Sequence, residues 1–151
     1  MPTVVRERSL RAAPEEVWQV VSDPERLPAW WPGVTRVEDA SRDAWTTVLA
    51  SPRGKTVRAD YTLVEAEEPA RLVWRQEVEE SPFERILREW VTALELERGV
   101  AGLTKVRLTT RQKPRGFARF GFIQLRRAAV RQLEGALDGL ERLLPGADPG
   151  S

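Results

Sequence analysis

Hydrophobic and polar residues alternate with a period of two at the start of the chain and again from Val34 to Gln112. This period is typical of β-strands, because successive side chains of a strand point to opposite faces of the sheet. Thr3 to Arg11 predicts one strand, and the turn signals between Val34 and Gln112 divide that region into about six more. The pattern therefore predicts an antiparallel sheet of about seven strands, with one wet face and one covered face.

Two short helices are predicted between the first strand and the others. Pro14 suits the first turn of a helix, and the acidic pair Glu15-Glu16 lies near the positive end of the helix dipole. Asp23 is a residue type that caps helices, so a second helix is expected from Pro24 until Pro32-Gly33 ends it.

The last predicted element is a long helix from Phe117 to Leu144. Its apolar residues recur at helical spacings and form one stripe: Ile123, Val130, Leu133, Leu137, Leu140 and Leu144. A helix of about 28 residues spans about 42 Å at 1.5 Å per residue, which is enough to lie across a sheet. Pro145-Gly146 ends it, so we expect one domain over residues 1–145 and a flexible tail over 146–151.

Composition excludes several kinds of chemistry. The 151 residues include no cysteine and no histidine, which rules out disulfides, thiol nucleophiles and the most common general base and metal ligand. We expect no metal and no cofactor. The formal net charge is only +1, so no partner is dictated by charge. With no apolar run of about 20 residues and a charged N-terminus, the sequence predicts a cytoplasmic protein.

The element order of one strand, two helices, six strands and one helix resembles the helix-grip fold of the START-like or SRPBCC superfamily. The motif Ala13-Pro14-Glu15-Glu16-Val17-Trp18, with residues 21–34 after it, looks like the signature of the polyketide cyclase/dehydrase branch. The resemblance implies an α+β fold in which a seven-stranded curved antiparallel sheet wraps around the long C-terminal helix. It also implies a cavity between sheet and helix for lipids, quinones, polyketides or other apolar molecules.

The inferred inner face mixes aromatic and polar residues. A buried polar group without a partner costs about 1–3 kcal/mol, so these side chains need water, each other or a ligand. The alternative is that the tryptophans fill the interior and the polar side chains lie in solvent at strand ends. With the cavity that the resemblance implies, the candidate ligand-binding residues are Trp30, Tyr61, Trp74, Gln76, Arg88, Trp90, Thr92, Thr110, Phe120, Ile123 and Arg127.

Arg88 is the most informative of these candidates, because alternation places this cation between Ile86 and Trp90 on the inner face. A guanidinium there can anchor a ligand carboxylate, enolate or phosphate through two parallel hydrogen bonds. The alternative is a structural ion pair with a glutamate or a side chain that reaches solvent. Tyr61 likewise either contacts a ligand through its hydroxyl or is a core ring bonded to backbone.

Three functions remain open at this point. The first is binding of a hydrophobic or amphipathic small molecule, for transport or sequestration. The second is a polyketide aromatase/cyclase-like enzyme, in which Arg88 would stabilise an enolate and Tyr61 or water would move protons. The third is an interaction protein whose basic stretch, residues 113–131, meets a membrane surface, RNA or the ribosome. Either a monomer or a homodimer is compatible with each of them.

Overall fold

Seven strands form one antiparallel sheet in the computed structural model, which describes residues 3–50, 54–79, 81, 87–114 and 122–144. The strands are β1 (Thr3–Leu10), β2 (Val34–Glu38), β3 (Ala44–Ala50), β4 (Thr56–Glu67), β5 (Arg71–Gln76), β6 (Leu87–Arg98) and β7 (Thr104–Pro114). Their order in the sheet is β1-β7-β6-β5-β4-β3-β2, so each strand from β2 onward pairs with its neighbour in sequence and β1 closes against β7. The period of two predicted this sheet correctly.

The helices follow the prediction within the described residues, whereas the predicted start of the last helix, residues 117–121, and the predicted flexible tail, residues 146–151, lie outside them. The helices are α1 (Pro14–Val21), α2 (Leu27–Trp30) and α3 (Phe122–Leu143), with a short 3₁₀ turn over Pro24–Arg26. The side chain of Asp23 accepts a hydrogen bond of 3.0 Å from the backbone N–H of Glu25, which confirms its role as a cap. Each helix of the described residues is too short or too polar to cross a lipid bilayer.

The core lies between the sheet and α3. Leu94 and Leu108 of the sheet and Leu133, Leu137 and Leu140 of the helix have no exposed surface. Burying a leucine side chain stabilises a fold by about 1.5–3 kcal/mol relative to leaving it exposed, so this interface is a major source of stability. The helix packs on β1 and β7 along one side and on α2 along another.

Ion pairs between β1 and α3 fix the helix on the sheet. The guanidinium of Arg8 contacts the carboxylates of Glu134, at 2.9 Å, and of Asp138, and Arg6 lies 3.3 Å from Glu134. The hydrogen bond from Arg8 to Asp138 raises the pKa of the guanidinium above its usual value. Because the carboxylates are partly solvated, each pair contributes at most about 1 kcal/mol, and their effect is mainly to set the position of the helix.

Two residues predicted to face the interior do not: Arg88, expected on the inner face of the sheet, and Ile123, expected on the buried stripe of α3. Leu87 pairs with Pro114 and Glu89 with Lys113, so β6 has one extra residue in this bulge. Arg88 is that residue: its side chain is exposed, and Leu87, only 1% exposed, takes the inner position. Ile123 is 63% exposed, because the buried stripe of α3 runs through Ala129 and Leu133 and leaves Ile123 roughly a quarter-turn away.

Candidate functional site

A cavity of about 190 Å³ lies between the sheet and the N-terminal half of α3. The sheet contributes Leu87 and Trp90 from β6 and Gln112 from β7, and the helix contributes Leu125, Ala128, Ala129 and Gln132. The two alanines leave the space that larger side chains would fill. Within the described part of the chain, none of the lining residues is charged, and Gln112 and Gln132 each carry a primary carboxamide.

One row of inner-face residues crosses four strands at this cavity. Tyr61 of β4 pairs with Gln76 of β5, Gln76 with Trp90 of β6, and Trp90 with Gln112 of β7. Gln76 is 2% exposed and Gln112 is 4% exposed. Because neighbouring strands lie about 4.8 Å apart, each side chain of the row lies next to the following one. The row therefore brings two buried carboxamides to opposite sides of the Trp90 indole.

The carboxamide of Gln76 has one bonded end and one unbonded end. The hydroxyl of Tyr61 donates to its Oε1 at 3.3 Å. Its Nε2 is buried and has no hydrogen-bond partner among the described residues. Buried polar atoms are nearly always hydrogen-bonded, so an orphaned amide nitrogen beside a cavity indicates a position for a ligand acceptor.

Tyr61 is held in its neutral form. Its ring stacks on Trp45 with centroids 5.9 Å apart and planes at 11°. Burial raises the pKa of Tyr61 to about 12, although a hydrogen bond with Thr47 acts in the opposite direction. The phenol is therefore a hydrogen-bond donor near neutral pH and is poorly suited to exchange protons with a substrate.

The next row of the sheet satisfies its own polar groups. Trp74 pairs with Thr92 across β5 and β6, and Thr92 pairs with Thr110 across β6 and β7. Both threonines are buried, and their hydroxyl oxygens lie 3.2 Å apart, where either can donate to the other. The sequence left three kinds of partner open for these polar residues: water, each other or a ligand. The structure shows that the two threonines are partners of each other.

Tryptophans fill another part of the interior. Trp30 and Trp31 meet edge to face with centroids 5.3 Å apart, and Trp31 meets Trp74 in the same way at 5.8 Å. A second cavity of about 40 Å³, lined by Trp30, Trp45 and Trp74 among others, has room for only a few waters. The Nε1 of Trp30 is buried and also lacks a partner among the described residues.

The predicted site residues thus fall into five groups. Trp90 lines the larger cavity, and Tyr61 and Gln76 continue its row. Trp30 and Trp74 line the smaller cavity, while Thr92 and Thr110 are paired with each other. Arg88, Ile123 and Arg127 have exposed side chains and are absent from the cavity lining, and Phe120 lies outside the described residues.

Among the lining residues that the structure describes, sequence reasoning missed Leu87, Gln112, Leu125, Ala128, Ala129 and Gln132. Gln112 was within reach, because extending the alternation of Val106, Leu108 and Thr110 by one step gives its inner-face position. Leu87 required knowledge of the bulge. The helix residues required the exact phase of α3, and small alanines carry no pattern that indicates a cavity.

A sheet that packs on a C-terminal helix, with a largely apolar cavity between them, defines a helix-grip domain. The chain belongs to the family described as polyketide cyclase/dehydrase and lipid transport, which matches residues 1–145. No curated protein matches the chain. The described residues also contain no group of three or more acidic side chains that could hold a metal ion.

Solved structures share this fold at low sequence identity. The START superfamily protein from Mycobacterium smegmatis is 13% identical, with a TM-score of 0.74 over 95% of this chain and 97% of that one. XoxI from Bacillus cereus is 16% identical, with a TM-score of 0.75 over 95% and 96%. The di-domain ARO/CYC BexL is 21% identical, with a TM-score of 0.77 over 94% of this chain and 46% of BexL. This chain therefore corresponds to about half of that two-domain protein.

Proposed function

We propose that this protein binds a hydrophobic small molecule in the cavity between the sheet and α3, for transport or sequestration. The observation that carries the proposal is the cavity of about 190 Å³, whose described lining residues are uncharged and include two carboxamides. Small-molecule sites are typically apolar concavities with a few placed polar groups, which is the composition found here. The lipid-transport part of the family description supports the same function.

The size of the cavity limits the part of the ligand that it encloses. An apolar cavity of about 150 Å³ accommodates benzene, and drug-sized ligands occupy about 300–1,000 Å³. A cavity of about 190 Å³ therefore suits one substituted ring or a short chain segment. A larger lipid, quinone or polyketide would place only one end among these residues.

Native mass spectrometry of the protein purified from its own host tests the proposal. We expect a co-purifying apolar molecule in the wild type and its loss in Ala128→Trp, because Ala128 is exposed at the rim of the cavity and a bulky residue there closes the entrance. Ala66→Trp is the control, since Ala66 is exposed on β4 and does not line the cavity.

Two results together would contradict the proposal. The first is a mass that corresponds to the protein without any ligand, and the second is unchanged tryptophan fluorescence across a panel of lipids, quinones and aromatic polyketides. Trp90 lines the cavity, so its emission is expected to respond to any occupant.

A polyketide aromatase/cyclase-like activity is the second candidate, and the fold shared with BexL is the observation that favours it. The catalytic roles that the sequence suggested for Arg88 and Tyr61 fit the structure poorly. Arg88 is exposed, and burial raises the pKa of the Tyr61 phenol to about 12. Catalysis would then rest on positioning of the substrate in the cavity. Faster cyclisation of a poly-β-ketone in the presence of the protein, abolished in Ala128→Trp, would support this activity.

An interaction surface on α3 is the third candidate. Within the described residues it consists of Arg127 and Arg131, which are exposed, and the exposed Ile123, whereas Arg126 donates to the backbone oxygen of Thr3. Sedimentation with anionic vesicles or RNA, weakened in Arg127→Ala plus Arg131→Ala, would support it.

For each of these functions, the proposed location is the cytoplasm, because a sequence without cysteine has no disulfides that point to an oxidising compartment. The proposed oligomeric state is a monomer or a homodimer.

A further inference from the structure

We propose that the face of the sheet turned away from α3 binds a second copy of this chain, around a two-fold axis that runs along the sheet between β6 and β7. This outer face consists of the residues of β1, β5, β6 and β7 that alternate with the buried inner-face residues. It lies on the opposite side of the sheet from the ligand cavity, so the inference goes beyond the proposed function and does not depend on it.

A largely apolar row crosses four strands at the middle of the outer face. Val5 of β1 pairs with Thr109 of β7. Thr109 pairs with Ala93 of β6, and Ala93 pairs with Val73 of β5. The two ends of the row differ in exposure: Val5 is 41% exposed, whereas Val73 is only 7% exposed and lines a depression of about 260 Å³. The outer face therefore carries one exposed valine and one recessed valine.

Charged side chains of alternating sign form the neighbouring row. Glu7 of β1 pairs with Arg107 of β7. Arg107 pairs with Glu95 of β6, and Glu95 pairs with Arg71 of β5. The exposed fractions of these four side chains lie between 36% and 45%. Arg107 bonds Glu7 through its Nε at 2.9 Å, so the terminal nitrogens of its guanidinium can donate to a further carboxylate.

The proposed axis matches the exposed valine to the recessed one. An axis parallel to the strands, midway between β6 and β7, exchanges β6 with β7 and β5 with β1. Each outer-face residue then lies opposite the residue of the same row on the exchanged strand, as in any isologous contact. Val5 of each copy therefore lies over the depression at Val73 of the other copy. This apolar contact occurs twice in the dimer.

The same axis places opposite charges against each other. Glu95 of one copy lies opposite Arg107 of the other, and Arg71 lies opposite Glu7, because neighbours in this row alternate in sign. The position of the axis matters. An axis along β6 itself would place Glu95 opposite Glu95 and Arg107 opposite Arg71, and like charges in contact oppose association.

The area of the outer face is sufficient for a dimer of moderate affinity. Four strands at a spacing of about 4.8 Å cover about 19 Å, and the outer-face positions of β6 from Glu89 to Glu97 cover about 30 Å along the strand. The face thus measures about 550 Å² per copy and about 1,100 Å² in total, which reaches the lower limit for a specific interface. A second copy is favoured over an unrelated partner, because symmetry supplies both the charge pattern and the apolar match.

Analytical ultracentrifugation of the full chain measures this dimer. We expect a monomer–dimer equilibrium with a dissociation constant below about 100 μM. Val5→Lys is expected to raise that constant at least about tenfold, because it places a cation over a depression that Arg71 of the other copy lines. Ile123→Lys is the matched control. It makes the same charge change at a residue that is 63% exposed on the helix side of the sheet, and we expect it to leave the dissociation constant unchanged.

Two charge-reversal variants test the position of the axis. Glu95→Arg alone and Arg107→Glu alone each place like charges opposite each other in a homodimer, so each is expected to weaken dimerisation at least about tenfold. When the two variants are mixed, every facing pair at these positions joins an arginine to a glutamate. We therefore expect the heterodimer to form at least about tenfold more tightly than either homodimer, measured by native mass spectrometry with one variant isotope-labelled.

This rescue is specific to contact between two chains, because each variant keeps its own cross-strand repulsion in the mixture. Several results would overturn the proposal: a monomer at every concentration up to about 0.5 mM, a dimer unaffected by Val5→Lys or equally weakened by Ile123→Lys, or a mixture that associates no more tightly than the single variants. If a charge reversal prevents folding, Val5→Lys and its control decide alone. The ligand-binding function is unaffected by each of these results, since Val5, Glu95 and Arg107 do not line the cavity.

Discussion

Gly139 of α3 lies directly against the backbone of Trp30 at the end of α2. A Cβ atom on Gly139 would clash with the carbonyl oxygen of Trp30 and lie 2.8 Å from its Cα, which is closer than real contacts of this kind. Glycine weakens a helix by about 1 kcal/mol relative to alanine, so its presence in the middle of α3 requires a compensating benefit. The benefit is the close approach of α2, which holds Trp30 at the interior.

Gly139→Ala is therefore expected to lower the free energy of unfolding by about 1–3 kcal/mol, because overpacking against backbone outweighs the better helix propensity. Chemical denaturation measures the change. Gly135→Ala is the comparison variant, since a Cβ there would lie 2.7 Å from a side-chain atom, Pro32 Cγ, and 3.6 Å from the next nearest atom. The loss of unfolding free energy in Gly135→Ala is expected to be smaller than that in Gly139→Ala. A Gly139→Ala variant as stable as the wild type would contradict this account of the helix contact.

The Thr92–Thr110 pair predicts a coupled effect on stability. Thr92→Val leaves the buried hydroxyl of Thr110 without its partner, so we expect a loss of about 1–2 kcal/mol, and the same for Thr110→Val. The double variant leaves no orphaned hydroxyl at this position. Its loss is expected to fall short of the sum of the single losses by at least about 0.5 kcal/mol. Strict additivity in this double-mutant cycle would show that the two hydroxyls do not bond each other.

Tyr61 predicts a specific titration, because it is the only tyrosine in the chain. Its pKa is raised to about 12 in the folded state by burial, against about 10 in an unfolded chain. The folded state thus holds its proton more tightly, so this contribution to stability is complete below about pH 10 and is lost as the pH rises toward 12. The near-ultraviolet absorbance of tyrosinate is expected to rise near pH 12 in native protein and near 10 in denaturant. Coincident midpoints would indicate that the phenol is solvated.

The fold followed from the sequence because each element has a strong period. Alternation placed Tyr61, Trp74 and Gln76 on the inner face, and Asp23 marked the start of a helical turn, as the structure confirms. These signals are local and depend only on which side chains can be buried. Motifs at the first helices added the family, which the match over residues 1–145 confirms.

The site was less predictable, because it depends on single-residue departures from those periods. The extra residue in β6 exchanged Leu87 for Arg88 on the inner face, and nothing in the alternation of β6 marks that bulge. In α3, a stripe begun at Ile123 departs from the direction that Leu125 and Ala129 take toward the sheet. A cavity also forms where side chains are small, and small residues such as Ala128 and Ala129 carry no sequence pattern that indicates a cavity.

The cavity makes opposite predictions for two buried alanines of α3. Ala129 is 3% exposed and lines the cavity, so the added side chain of Ala129→Leu has space to occupy, and we expect a change in stability of less than about 1 kcal/mol. Ala136 is fully buried and does not line the cavity, so Ala136→Leu is expected to cost about 1–3 kcal/mol through overpacking. Denaturation curves give both values.

Binding of a single-ring probe, ethylbenzene, completes this comparison, because Ala129→Leu fills volume that the ring needs. Its dissociation constant is measured by NMR titration, followed on the tryptophan indole signals. We expect the affinity for ethylbenzene to fall at least about tenfold in Ala129→Leu, since a filled cavity must be emptied before the ring enters. If Ala129→Leu were instead as costly to stability as Ala136→Leu and left ethylbenzene binding unchanged, the space beside Ala129 would not be the binding site. The smaller cavity at Trp30 and Trp74 would then be the one to probe, by Trp74→Phe in the same titration.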